Sequence, residues 1–459
     1  MDPYARLFEG VLFPAWETVV RRRPTPSLWR FVEKTQWLPP SELAALQLGA
    51  LRRLLVHAEA HVPHYRDLLR REGLRARDIL TLEDFARVPV LRREDAQLAG
   101  TRRQSETAPF PTIGKASSGT SGTPLSFAYD HRSEHWRHAL KLRGYAWAGH
   151  RPGKRTLHYW GVLPMREPPT FARRAKVAVE RALRRETFIN CAMRSEADLD
   201  RTVEIIRRER PEVIICYSLA GGDLARHVLS RGARDWPDIH VICAGEPLLP
   251  DDRVALEGAF GPHVFNTYGC REVMLIGAEC ELHQGLHMSV ENVIVEVVVR
   301  EGGTSRPALP GETGEVLLTD LHNFSMPFIR YANGDLAVAG PTEPCPCGRG
   351  LPRLAAVDGR ITDTLRDARG GPVGGMVFIT TVATVGHRLK MWQGVQHTDG
   401  SVTFRFVPGE GFDDSVEAHL QRSLLPYFGG LPVTMERVKE IPLGPNGKRR
   451  PVVVEKART

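Results

Sequence analysis

The chain has 459 residues, 42% of them hydrophobic and 25% charged, which excludes a disordered or fibrous protein and calls for two or three packed domains. Lysine and arginine total 62 against 54 aspartate and glutamate, a formal net charge of +8. That surplus suits an anionic ligand, but it is scattered, with no aromatic-interleaved basic stripe and no finger spacing, which argues against nucleic acid as a partner.

No apolar run approaches the length needed to span a bilayer, and the first residues, MDPYARLFEG, lack the basic-then-apolar pattern of an export signal. An odd count of 7 cysteines favours a reducing cytoplasm over a disulfide framework. Residues 1 to about 105 read as helical, with apolar positions at helical spacing through Leu43, Leu46, Leu48, Leu51, Leu54, Leu55 and Ala58; they form a packing layer with little chemistry of their own. Residues 115–130, KASSGTSGTPLSFAYD, then set Ser117, Ser118, Gly119, Thr120, Ser121, Gly122 and Thr123 before a β-prone run. Glycines and hydroxyls of this kind wrap phosphate oxygens, because glycine permits close approach and positive φ. A Walker-type loop is excluded, since no lysine follows Gly122 and Pro124 blocks helix entry.

Residues 131–153 read as a helix stopped by Gly149 and Pro152, and residues 155–162, RTLHYWGV, as a buried strand. Helices at 195–208 and 221–231 alternate with short apolar strands at 213–217 and 240–243. Such alternation predicts a parallel α/β layer whose ligand crevice lies beyond the strand C-terminal ends, where Tyr217-Ser218 and Ala244-Gly245-Glu246-Pro247 fall. A further strand at 264–266 runs into Tyr268-Gly269-Cys270-Arg271-Glu272, and a carboxylate placed there is suited to Mg²⁺ bound to nucleotide phosphates. Residues 290–320 alternate apolar and polar and read as antiparallel β; Asp335 follows Gly334 in a turn.

Cys280, His283 and His287 precede Cys345 and Cys347. Three thiolates and one imidazole close a tetrahedral zinc site with no open position, which reads as structural. Composition changes after Gly359-Arg360, so a domain of residues 1–360 is expected, followed by a small α+β lid over 361–459.

Taken in order, the 117–123 loop, Asn266-Thr267-Tyr268-Gly269-Cys270-Arg271-Glu272, Arg330-Tyr331-Ala332-Asn333-Gly334-Asp335, Gly359-Arg360-Ile361-Thr362-Asp363 and Pro445-Asn446-Gly447-Lys448 resemble the motifs of the adenylate-forming superfamily. Within it they are most similar to the phenylacetate–CoA ligase-like family, and the WAGxxPG stretch with residues 155–162 resembles the capsule-biosynthesis (CapK-like) branch. The resemblance implies an α/β fold: a large multi-layer N-terminal domain of parallel α/β sheets with a β region, and an α+β lid. It implies ATP-dependent activation of a carboxylic acid as an acyl-adenylate with release of pyrophosphate, then transfer to coenzyme A or a carrier-protein phosphopantetheine. Alternatives are adenylyl transfer, amide formation, or a non-catalytic nucleotide-binding protein of a biosynthetic cluster.

By the same resemblance, Lys448 serves the adenylation transition state and Glu272 holds Mg²⁺. The loop takes the β,γ-phosphates; Gly245, Glu246 and Pro247 lie against the adenine and Tyr268 stacks on it or packs beside it; Asn266 and Gly269 also belong to the cofactor-binding set; Asp335 binds ribose; Arg360 binds phosphate or ribose. Tyr159, Trp160, Gly161 and Tyr217 line the acid pocket, Asp363 is the hinge, and Cys280, His287, Cys345 and Cys347 hold zinc, with His287 preferred over His283. Arg271 departs from the threonine common at its position. A basic cluster at Arg173, Arg174, Lys176, Arg181, Arg184 and Arg185 reads as a solvated helical face, or as a contact for coenzyme A phosphates or an acidic carrier protein; a homodimer is also open.

Overall fold

The computed structural model describes residues 2–107, 110–116, 125–161, 170–191, 195–301, 304–360, 365–370, 372–373, 376–385, 388–442 and 450–455. The chain divides into two compact units, Met1–Pro152 with Thr267–Val357, and Gly153–Asn266 with Asp358–Thr459. Among the described residues no helix is long and apolar enough to cross a membrane.

In the first unit, helices α1 (Thr25–Thr35), α2 (Pro40–His61) and α3 (Pro63–Arg71) build the N-terminal layer. Proline opens α2 where its missing N–H has no helical partner to lose. Leu43, Leu51, Leu54, Leu55 and Ala58 are buried along one stripe, while Leu46, expected on that stripe, is 40% exposed. Strands β1 (Thr112–Ala116) and β2 (Ser126–Asp130) then pair antiparallel with Ala116 opposite Ser126, closing the stem on either side of residues 117–125. The Asp130 carboxylate ends β2 by accepting from Ser133 N at 2.8 Å, an N-cap for α4 (His131–Trp147).

The second unit begins with β3 (Thr156–Trp160), α5 (Phe171–Arg184), β4 (Glu186–Asn190), α6 (Glu196–Glu209), β5 (Val213–Tyr217), α7 (Ser218–Ser230), β6 (His240–Ala244), α8 (Pro250–Phe260) and the start of β7 (Val264–Cys270). The strands run parallel in the order β4-β3-β5-β6-β7. All of β5 is buried, as a parallel strand covered on both faces must be. Helix α7 starts at Ser218, earlier than the expected 221. Glycine is needed there for approach: a Cβ on Gly221 would lie 2.6 Å from Cys216 Sγ, and one on Gly222 would lie 2.0 Å from Asp252 Oδ1.

The chain returns to the first unit through the end of β7, then β8 (Met274–Glu279), β9 (Leu286–Met288), β10 (Val293–Glu301), β11 (Thr304–Pro307), β12 (Thr313–Asp320), β13 (Tyr331–Ala339) and β14 (Arg353–Arg360). Strand β7 pairs antiparallel with β8, β8 with β9, β9 with β14, β10 with β11 and β12, and β12 with β13, in keeping with the alternation of residues 290–320.

The last stretch of the second unit holds β15 (Leu365–Arg366), β16 (Pro372–Val373), α9 (Met376–Ala383), β17 (Leu389–Gln396), β18 (Val402–Pro408), α10 (Asp414–Leu424), β19 (Val433–Arg437) and β20 (Val452–Val454). Its four-stranded sheet runs β19-β18-β17-β20. Phe378, Phe404, Phe406, Leu420 and Phe428 form its own core, distinct from the core under the parallel strands.

Candidate functional site

Asp335, expected in a turn, lies inside β13. The register of β12 against β13 jumps from Glu315 opposite Leu336 to Leu317 opposite Ala332, so Asn333-Gly334-Asp335 forms a bulge, with Gly334 at φ +84°. The bulge presents the Asp335 carboxylate, whose Oδ2 accepts from the Tyr268 hydroxyl at 2.7 Å and from Asn333 Nδ2 at 2.6 Å. Asn333 also donates to the Tyr268 oxygen at 3.0 Å and accepts from Asp335 N at 3.1 Å. Burial first, then the Asp335 charge, push the Tyr268 phenol well above its ordinary value, so it remains a donor.

Gly269 follows Tyr268 because the bulged β7–β8 pair leaves no room for a side chain: a Cβ there would sit 2.4 Å from the Met274 carbonyl oxygen. In the turn beyond, Arg271 Nη1 donates to the Ala116 carbonyl at 2.9 Å. The residue that breaks the expected pattern therefore ties the tyrosine–glutamate segment to the stem of the 117–123 loop. Glu272 is buried, and its carboxylate makes no hydrogen bond among the described residues.

Behind Glu272 lies a charged network that sequence reading missed. Arg137 Nη2 donates to the Glu272 carbonyl at 2.6 Å and pairs with Asp320, both side chains 0% exposed. Arg137 Nε donates to Ser133 Oγ at 2.9 Å, and its guanidinium stacks over the Tyr129 ring with the central carbon 4.1 Å from the centroid. The second Asp130 oxygen accepts from Phe324 N at 2.9 Å. The end of β2, the first turns of α4, the Glu272 turn and the end of β12 are thus one hydrogen-bonded unit. Arg330 is structural as well: it forks onto Glu296 at 2.9–3.1 Å and donates to the Ala86 and Val88 carbonyls.

Elsewhere in this unit, Cys280, His287, Cys345 and Cys347 bring their ligand atoms within 4.8 Å of one another. Cys280 and Cys345 sulfurs are 3.9 Å apart, and Cys347 Sγ lies 3.3 Å from His287 Nε2. Four ligands at zinc distances stand about 3.8 Å apart, so the donor set fits that ion. His287 Nδ1 is 3.0 Å from the Leu351 carbonyl; donation there leaves Nε2 as the ligand atom. Burial lowers the His287 imidazole to about 4, the neutral form that binds metal. His283 turns instead to Glu279, 3.0 Å away.

In the second unit, Trp160 and Tyr217 meet with ring centroids 4.2 Å apart, while Tyr159 is 0% exposed in the core. Gly161 follows Trp160 at the end of β3. Gly245 takes φ +74°, and Pro247 is exposed. Glu246 caps a helix: its carboxylate accepts from Leu219 N at 3.2 Å and its carbonyl from Ser218 Oγ at 2.8 Å, at the start of α7. Asn266 pairs with Cys243 across β7 and β6. Ser117, Ser118, Gly119, Thr120, Ser121, Gly122, Thr123, Asp363 and Lys448 lie outside the described residues, as does the Arg360 side chain at the end of β14.

No family model matches the chain. A phenylacetate-coenzyme A ligase of Thermus thermophilus is 29% identical over 346 residues, covering 72% of this chain and 72% of that protein. Another, from Aromatoleum evansii, is 26% identical, with 75% and 76% covered. Among solved structures, a 2-hydroxyisobutyryl-CoA ligase in the postadenylation state, in complex with R3-HIB-AMP, superposes with a TM-score of 0.73 at 20% identity, covering 92% of each chain. At that identity the likeness establishes the fold.

Proposed function

We infer that this chain is a member of the phenylacetate–CoA ligase-like family of adenylate-forming enzymes, a reading supported by its likeness to those ligases, and that it activates a carboxylic acid with ATP and passes the acyl group to coenzyme A. The observation that carries this reading is the convergence within the first unit: Arg271 on the loop stem, Tyr268 on Asp335, and a buried Glu272 next to Arg271 in the chain. One carboxylate oxygen attacks the α-phosphorus, the bond to pyrophosphate breaks, and the acyl-adenylate forms. The coenzyme A sulfur then attacks the acyl carbon, and AMP leaves with the bridging oxygen.

In this reading Asp335, held by Tyr268 and Asn333, accepts from the ribose hydroxyls, and residues 117–123 wrap the β,γ-phosphates. The backbone of Gly245-Glu246-Pro247 and Asn266 lines the adenine, while the Glu246 side chain remains with its helix. Trp160, Gly161 and Tyr217 line the acid pocket, with Tyr159 supporting from the core. Residues 361–459 form the lid, with Asp363 its hinge and Arg360 beside the nucleotide. Lys448, carried by the lid, stabilises the charge that builds as pyrophosphate departs.

Glu272 is the residue that would hold Mg²⁺, which neutralises phosphate charge when bound. Cys280, His287, Cys345 and Cys347 would hold a structural Zn²⁺. The odd count of 7 cysteines supports work in the cytoplasm. Exchange of labelled pyrophosphate into ATP, screened over aryl, fatty and amino acids with phenylacetate first, tests the reading. Acid-dependent exchange is expected, and its absence with every acid class overturns it.

A further inference from the structure

The first turn of α4 carries a second group of metal-binding side chains, remote in sequence from the cysteines. His131, Glu134 and His135 stand at i, i+3 and i+4, so they share one helical face, and their ligand atoms all lie within 4.8 Å of one another. His131 Nδ1 is 3.4 Å from Glu134 Oε2, and the two imidazole centroids are 6.4 Å apart with a 34° tilt.

The carboxylate at the centre has no settled partner. Glu134 Oε2 is buried without a hydrogen bond; Arg23 Nη2 approaches only to 3.6 Å. A buried carboxylate oxygen normally accepts from a donor, and leaving it without one costs free energy. An ion seated between the two rings would complete it. The His131 side chain is 41% exposed, which leaves a path from solvent.

We propose that His131, Glu134 and His135 form a site for a divalent transition cation of the Zn²⁺ type, separate from the cysteine cluster. Two imidazoles and one carboxylate select such an ion over Mg²⁺ or Ca²⁺, which prefer all-oxygen shells. Three protein donors leave at least one position for water or an outside ligand. The positive end of the α4 dipole and the Arg23 guanidinium both oppose a cation here. Affinity therefore comes from the three-donor chelate, and Arg23 acts as the competitor for Glu134.

Calorimetric titration of Zn²⁺ into full-length protein whose cysteine cluster is already zinc-filled tests this. Wild type should take up one equivalent more than the His131→Ala/His135→Ala variant. Glu134→Gln should weaken that equivalent by at least about tenfold, the loss that even an outer partner of a ligand produces. Arg23→Gln should tighten it, which a scatter of surface histidines would not do. Co²⁺ in this site should absorb in the visible without a thiolate charge-transfer band. Equal stoichiometry in wild type and the double variant overturns the proposal, as does a titration in which Arg23→Gln leaves the affinity unchanged.

Discussion

The Tyr268–Asp335 corner of the first unit and the strand ends at Tyr217 and Glu246 of the second differ in how their side chains are used. In the first, the side chains named from the sequence bond to one another: a phenol donates to a carboxylate, and an asparagine from the same bulge serves both. In the second, they serve the scaffold. Glu246 caps α7, Tyr217 stacks on Trp160, and Tyr159 is core. On the proposed function, the corner that would hold the invariant nucleotide is built from side-chain polarity, whereas the strand ends that would border the acid offer backbone and ring faces.

The largest effect that sharpens this contrast lies behind the first region. Asp320→Ala would strand the Arg137 charge in a site with 0% exposure, so stability should fall by about 3–5 kcal/mol in urea unfolding. A loss below 1 kcal/mol, the range of surface pairs, would show that the network is solvated and does not brace Glu272. Next is Tyr268→Phe, which removes a hydrogen bond to a charged acceptor. The KM for ATP should rise by the equivalent of about 1.5–3 kcal/mol, with little change in melting temperature. The smallest is Glu246→Ala in the second region. Loss of its cap on α7 should cost about 1 kcal/mol of stability and leave the KM for ATP unchanged. A KM effect there without a stability effect would erase the distinction between the two regions.

The same contrast explains what could be read from the sequence. Cys280, His287, Cys345 and Cys347 were legible because thiolates and imidazole suit zinc and because the family resemblance favours His287 over His283, and they do come together. Tyr268 and Asp335 were legible as parts of ordered motifs. Arg137 and Asp320 were not: they are separated by 183 positions, and each looks like an ordinary surface charge until the fold buries it. Asn333 carried a weak signal, an Asn-Gly-Asp run, but this reads equally as a turn, and only the register jump between β12 and β13 makes it a bulge. The helix expected over 221–231 begins at Ser218, and its glycines 221 and 222 are explained by close approach to Cys216 and Asp252, which is visible only once the fold is known.

The central claim is that a carboxylate oxygen attacks the first phosphorus of ATP. Turnover with phenylacetate, or whichever acid supports pyrophosphate exchange, labelled with ¹⁸O in its carboxylate tests that claim most directly. After coenzyme A release of the acyl group, AMP should carry one ¹⁸O atom and pyrophosphate none. Label in inorganic phosphate together with ADP would place the attack on the terminal phosphorus and contradict the account.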